Sequence, residues 1–441
     1  MTTPQQLFDI RTTDNCWNYT LPDDFGHDLD CIDGIPLEQV IKDNPQLLVF
    51  PGVLGAHDDK LGEQTILNIK AGKLATQNMM GFLGAGRTRL AIASRFQKDD
   101  QDRDRFLHYL LQKVLALNLF DMSISSGSDD IWDILLMYLF PFYLNRALNQ
   151  GLYKSYQRAD HNDPDLKGRV DIARHIKKNM PFMGNIAYQT REHTYDNRIT
   201  QLIRHTIAYI SRHEFSGPLF NSQAETRMAV SQITQATPSY ERQKLRQIIQ
   251  LNTKLVDHPF YTEYEPLRKL CMQILRREGL SFGKEKDQLY GLLFDGAWLW
   301  EEYLNLLLAP LGYLHPKNKL GPKGNPIYMF EAEKYPQFPD FYHLSKGTAI
   351  DAKYKPIKGL RPAREDLHQV ITYLYLLRAG KGCYLYPATE SIPAKIGTLN
   401  GYGGTLQSYG MKIPSGYDDY REFCKQMQES EAALVGFFAA F

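Results

Sequence analysis

Residues Pro339 to Tyr373 constrain what this chain can fold into more than any other stretch. Pro339-Asp340 is followed by an apolar run from Phe341 to Leu344, a turn at Lys346-Gly347, and then Thr348-Ala-Ile-Asp-Ala-Lys-Tyr-Lys355. Two strand-like runs around a short turn specify a hairpin, in which Asp340 and Asp351, eleven positions apart, meet at one end of a sheet. Alternation on the second strand puts Asp351 and Lys353 on one face, while Ile350, Ala352 and Tyr354 turn the other way into a core. A helical run from Ala363 to Ala379 follows, with Gln369 and Tyr373 four apart on one face.

Two carboxylates and an ammonium gathered at one point resist joint ionisation unless a cation sits among them. A hard divalent ion suits the set, because Mg²⁺ is held by one or two carboxylates plus waters and phosphate oxygens. Asp340 and Asp351 are therefore the predicted metal ligands, with the Ala352 carbonyl beside them, and Mg²⁺ the predicted cofactor, replaceable by Mn²⁺. With Lys353 beside the attacked phosphate, the same three residues form the predicted catalytic set. A lone D-x-K would read as a surface ion pair on an edge strand. Here the Pro-Asp before the hairpin, the apolar strand and the long helix after it favour the catalytic reading.

The segment Lys353 to Arg364 holds five Lys or Arg in twelve residues. Lys355, Lys358 and Arg361 are predicted contacts to a DNA backbone, since such a loop neutralises phosphates irrespective of sequence; a solvated loop is the alternative. Gln369 and Tyr373 are placed to bond a DNA phosphate or the site lysine. Upstream, Tyr290 to Leu308 is apolar over most of its circumference and predicts a buried helix. Its Glu301 or Glu302 is a third-ligand candidate or a helix-surface acid.

Pro339-Asp340, Asp351-Ala-Lys353 and Gln369-x-x-x-Tyr373 resemble the PD-(D/E)xK nuclease core, with the Q-x-x-x-Y helix of its RecB-like branch. A second stretch narrows the resemblance. Leu166-Lys-Gly-Arg-Val-Asp-Ile-Ala-Arg-His-Ile176, followed by Thr194-Tyr-Asp-Asn-Arg-Ile199, is similar to the signature of the McrC family, and the likeness spans Pro45 to Ala388. That resemblance implies a nuclease subunit of a modification-dependent restriction system. It also implies an AAA+ GTPase hexamer of the McrB type as partner, modified or foreign double-stranded DNA as substrate, and two copies of the chain for double-strand cleavage.

The rest of the chain bounds this reading. No G-x-x-x-x-G-K-[ST] occurs, so the chain itself binds no nucleotide through a P-loop, and any motor is another polypeptide. Gly81, Gly84 and Gly86 read as turn residues. A net charge of +1 makes any DNA-binding surface local. Five scattered cysteines without a C-x-x-C pair predict a reducing cytoplasm. The N-terminus lacks a signal-peptide layout, and the most apolar run, Ile134 to Leu144, is too short for a bilayer. Arg169, Asp171, Arg174 and His175 form a charged cluster read as an ion-pair network or a phosphate contact.

The predicted fold is α/β, α+β overall. Residues 1–44 are an extension without periodicity, 45–120 a β-rich partner-docking domain, and 121–287 a mainly helical middle region. Residues 288–390 form the nuclease core and 391–441 a C-terminal extension, whose apolar tail packs on the core or meets a partner. Two other functions compete: a non-catalytic activator that uses the nuclease-like fold as scaffold, and a repair nuclease that needs no motor.

Overall fold

A computed structural model describes residues 8–22, 27–44, 47–50, 62–86, 88–96, 104–114, 130–213, 216–221, 223–254, 256, 258–279, 289–317, 324–355, 362–390, 392–401, 404–416 and 419–441. The chain divides into two units, one made of residues 1–125 with 285–441 and the other of residues 126–284. The first half of the first unit contains β1 (Phe8–Thr13), β2 (Tyr19–Thr20), α1 (Leu37–Asp43), β3 (Leu48–Phe50), β4 (Leu67–Lys70), β5 (Lys73–Thr76), β6 (Met79–Ala85), β7 (Thr88–Ala93) and α2 (Arg105–Val114). Residues 8–43, read from sequence as an extension, are thus integral: β1 runs parallel to β7, and Ile10, Leu29, Ile32 and Val40 join the buried core of this sheet.

β6 is a further correction. Its seven residues are all buried, so Gly81 and Gly84 lie inside a central strand rather than in turns. Gly81 has φ +141°, and a Cβ there would fall 1.9 Å from the Leu292 carbonyl oxygen. Glycine is required by the close approach of the next strand's backbone.

The unit of residues 126–284 contains α3 (Asp130–Asn149), β8 (Ser155–Asp163), β9 (Arg169–Val170), α4 (Ile172–Asn179), β10 (Ile186–Thr194), α5 (Arg198–Ile210), α6 (Ser216–Asn221), α7 (Ala224–Ala236), α8 (Leu245–Leu251) and α9 (Tyr264–Gly279). The region read as mainly helical therefore carries an antiparallel sheet, in the order β8-β10-β9. Asn197 caps α5 through a reciprocal box with Thr200. In the charged cluster, Asp171 accepts from the Arg174 N–H at the start of α4, while the Arg174 side chain pairs with Asp160 and donates to the His161 and Tyr188 carbonyls. One of these contacts is an ion pair, and the others are a helix cap and main-chain hydrogen bonds.

The chain then returns to the first unit with β11 (Tyr290–Asp295), α10 (Gly296–Leu308), β12 (Ile327–Phe330), β13 (Lys334–Gln337), β14 (Phe341–His343), β15 (Thr348–Ala352), α11 (Arg364–Leu377), β16 (Lys381–Ala388), β17 (Ile392–Thr398), β18 (Thr405–Lys412) and α12 (Tyr420–Ala440). Tyr290 to Leu308 is not one helix. Its first six residues form β11, which completes the N-terminal sheet in the order β1-β7-β6-β11-β3, and Asp295 caps α10 by accepting from the Trp298 N–H at 2.9 Å. The second large sheet has the order β14-β15-β16-β18-β17. Residues beyond 390 supply two of its five strands, β18 lying parallel to β16, so they are part of this layer and not an extension. The apolar tail packs inward: Leu434 and Phe438 on α12 are fully buried, and Lys346 and Lys381 donate to carbonyls of the last turn and the terminal Phe441. Among the described residues no helix is long and apolar enough to cross a membrane.

Candidate active site

The antiparallel β14–β15 pair aligns Phe341 with Ile350, which brings Asp340, one residue before β14, opposite Asp351. Asp340 Oδ2 accepts from the Ala352 N–H at 2.6 Å, locking the first carboxylate onto the second strand. β15 runs parallel to β16, and the Lys353 N–H continues that ladder to the Leu385 carbonyl at 2.9 Å. The two carboxylates and Lys353 therefore collect at the carboxyl end of a parallel strand, where open α/β sheets place their ligands. With β14 and β16 on either side, β15 is no edge strand, and Asp351 is 1% exposed. The surface ion-pair reading of D-x-K does not survive.

Lys353 Nζ lies 2.9 Å from Asp351 Oδ2 and 3.1 Å from Asp366 Oδ1 on the first turn of α11. Neither Asp351 oxygen has an aligned hydrogen-bond donor. Burial pushes the Asp351 carboxyl up to about 6 against the opposing pull of Lys353. Burial would lower Lys353, but Asp351, Asp340 and Asp366 outweigh it and hold the ammonium above its ordinary range. The cluster has more carboxylate than its one ammonium compensates. A buried carboxylate whose close cationic partner is Lys353, next to a second acid, fits a hard cation, which needs few protein ligands and completes its shell with water. Among the described residues no group of three or more His, Cys, Asp or Glu side chains is arranged to hold a metal.

The segment before Asp340 is tied to α11. Gln369 donates to the Tyr373 hydroxyl at 2.7 Å, and that hydroxyl donates to the Phe338 carbonyl at 3.3 Å. Tyr373 is buried, and burial pushes its pKa up to about 12. Its hydroxyl thus holds the loop that carries Asp340, and its hydrogen-bond partners are Gln369 and the Phe338 carbonyl, not the site lysine. Gln369 is exposed. Lys355 is exposed beside the cluster and adds positive potential at Asp351. Lys358 and Arg361 lie outside the described residues.

Two partners of the site escaped the sequence reading. Asp366 sits in the first turn of a helix, where an acid is ordinary, and only the fold turns it toward Lys353. His315 is the other. Its Nδ1 lies 2.7 Å from the Asp340 carbonyl oxygen and its ring stacks on Phe341 at 4.8 Å between centroids. Glu302 on α10 stands 3.9 Å from His315 Nε2 and 4.0 Å from Lys317 Nζ, so of the two acids on that helix Glu302 is brought toward the Asp340 segment.

The site is joined to the N-terminal sheet through the residue after Lys353. Tyr354 is buried, its ring lies under the Arg95 guanidinium at 4.7 Å and edge-on to Phe96 at 5.7 Å, and its hydroxyl meets Met80 Sδ at 3.3 Å. Arg95 is itself anchored by a buried ion pair to Asp14 and by Asn78 Oδ1 at 2.7 Å.

No curated protein matches the chain. Among solved structures, the chain is similar to one described as a refined half-complex from a tetradecameric assembly of Thermococcus gammatolerans McrB AAA+ hexamers with bound McrC. The likeness has a TM-score of 0.50 and 15% identity, and it covers 96% of this chain and 99% of that one. It supports the fold. A structure of the Thermococcus gammatolerans McrBC complex also aligns, at TM-score 0.31 and 15% identity over 69% of this chain and 88% of that one. Residues 74–387 match the model of the McrBC family, described as a McrBC 5-methylcytosine restriction system component. With well over half of its length inside that match, the chain belongs to the McrBC family.

Proposed function

We propose that this chain is the nuclease subunit of a restriction complex, hydrolysing DNA phosphodiesters with Mg²⁺ or Mn²⁺ at Asp340, Asp351 and Lys353. The observation that carries this reading is Asp351: a fully buried carboxylate with no aligned donor, opposite a second acid and beside a lysine. Such a group is costly to the fold unless it serves a cation. Asp340 and Asp351 would hold the ion, which when bound supplies Lewis-acid polarisation and a water of lowered pKa. Lys353, fixed between Asp351 and Asp366, keeps an ammonium where negative charge develops on the attacked phosphate, at no cost of reorganisation. Lys355 adds to the positive potential that draws the backbone in, and Lys358 and Arg361 extend that role along the following segment.

The Thermococcus McrC, bound to McrB AAA+ hexamers, supports an AAA+ partner of the same kind here, and the motif resemblance implies GTP as the nucleotide that this partner turns over. Two copies of this chain in the active complex would then cut the two strands. The test is a paired assay of DNA cleavage and partner GTP turnover. Asp351→Ala and Lys353→Ala lower cleavage at least about a thousandfold while turnover stimulation persists. Wild-type cleavage by Asp351→Ala would leave the scaffold reading in its place. Cleavage fails when Ca²⁺ replaces Mg²⁺, because the larger ion relaxes the octahedral shell.

A further inference from the structure

We infer that His315 is a positioning residue for the metal-binding carboxylate of Asp340, acting through a hydrogen bond from its Nδ1–H to the Asp340 carbonyl; the inference rests on the proposed metal site. A carbonyl oxygen only accepts, so at 2.7 Å His315 must carry its proton on Nδ1. Backbone geometry puts the ring there. Leu314 and Tyr342 exchange hydrogen bonds of 2.8 and 3.0 Å, an isolated bridge along the outer side of the edge strand β14. The next residue, His315, is thereby laid against Phe341 and Asp340. Gly312 makes the approach possible: its φ is +88°, and a Cβ there would fall 2.9 Å from His343 Nε2.

The segment bearing Asp340 is then held at three points. Tyr373 takes the Phe338 carbonyl, Ala352 N–H takes the Asp340 carboxylate, and His315 takes the Asp340 carbonyl. The first two come from α11 and β15, and His315 holds Asp340 from the outer side, next to the Leu314–Tyr342 bridge. A pinned main chain fixes the direction of the Asp340 carboxylate, which is how groups behind a ligand tune metal affinity, typically by about 10- to 100-fold. Glu302, 3.9 Å from Nε2, faces the ring from behind.

Two substitutions separate the hydrogen bond from the packing. His315→Phe keeps the ring on Phe341 and removes the donor, whereas His315→Asn keeps a short N–H donor and removes the ring. The full-length chain is titrated with Mn²⁺ without DNA, and free ion is read from its electron paramagnetic resonance signal, with Asp351→Ala as the reference for a lost site. His315→Phe is expected to weaken Mn²⁺ binding at least about tenfold and His315→Asn by less than about threefold. In cleavage assays with the partner, His315→Phe raises the half-saturating Mg²⁺ by a similar factor, with a smaller change in the plateau rate. Wild-type Mn²⁺ affinity in His315→Phe overturns the inference and leaves the metal site standing. If wild type binds no more Mn²⁺ than Asp351→Ala, the metal site itself falls and the inference with it. Should His315→Phe lose its cooperative melt, His315→Asn decides alone: affinity within threefold of wild type supports the role, and a tenfold loss overturns it.

Discussion

Asp351 holds its charge against its surroundings, which makes an unusual stability prediction at the scale of one residue. Its carboxyl pKa is raised to about 6, above the unfolded value, so the folded state carries its full penalty at neutral pH and sheds it as pH falls from about 6 towards 4. Asp351→Asn imitates the protonated form. In EDTA at pH 8 this variant should melt above wild type, by at most about 3 kcal/mol, and the gap should close near pH 4. A melting temperature at or below wild type at pH 8 would show that the Lys353 pairing outweighs burial. The Asp340–Asp351–Lys353 set was readable because strand alternation and hairpin register are local properties of the sequence. Asp366 and His315 were not. Each reaches the site from an element whose own sequence gives no reason to suspect it, and only the packing of α11 and the 314–342 bridge supplies the direction.

Among elements, α11 was placed correctly, and the structure adds a role for its Tyr373, which is buried with its hydroxyl on the Phe338 carbonyl. Tyr373→Phe removes the donor to that part-buried carbonyl and should cost about 1 kcal/mol of stability. It should also slow cleavage more than it alters DNA binding in a gel-shift measurement, whereas a direct phosphate contact would weaken binding first. Tyr290 to Leu308 misled for a different reason: short apolar runs fit a buried strand or a buried helix equally well, and Asp295-Gly296 in its middle marked the change of element. β6 misled through its glycines, which serve the approach of β11 and not a turn. Gly81→Ala forces a methyl carbon onto the Leu292 carbonyl and should lower the melting temperature by many degrees. A variant that melts like wild type would disprove the tight β6–β11 pairing.

At the scale of the molecule, the unit that carries the site is discontinuous in sequence. β11 lies in the N-terminal sheet, Tyr354 is packed on Arg95 and Phe96, and β17 and β18 complete the second sheet. A fragment of residues 288–390, or a chain lacking 45–120, should therefore fail to give a cooperative melt, because each removes strands from a shared core. Residues 126–284 should fold alone, and circular dichroism of the three proteins tests the contrast. Cooperative unfolding of 288–390 would restore the independent nuclease domain inferred from sequence. The sequence by itself determined the α/β class, the hairpin that sets Asp340 opposite Asp351, the absence of a P-loop and the family likeness, because each rests on residue types at short fixed spacings. Tertiary structure alone decided that the described residues within 8–43 and beyond 390 contribute strands and helices to the same unit, that Tyr373 and His315 grip the Asp340 segment, and that the site shares its foundation with the N-terminal sheet. Those facts depend on pairings between residues tens to hundreds of positions apart, which no local pattern encodes.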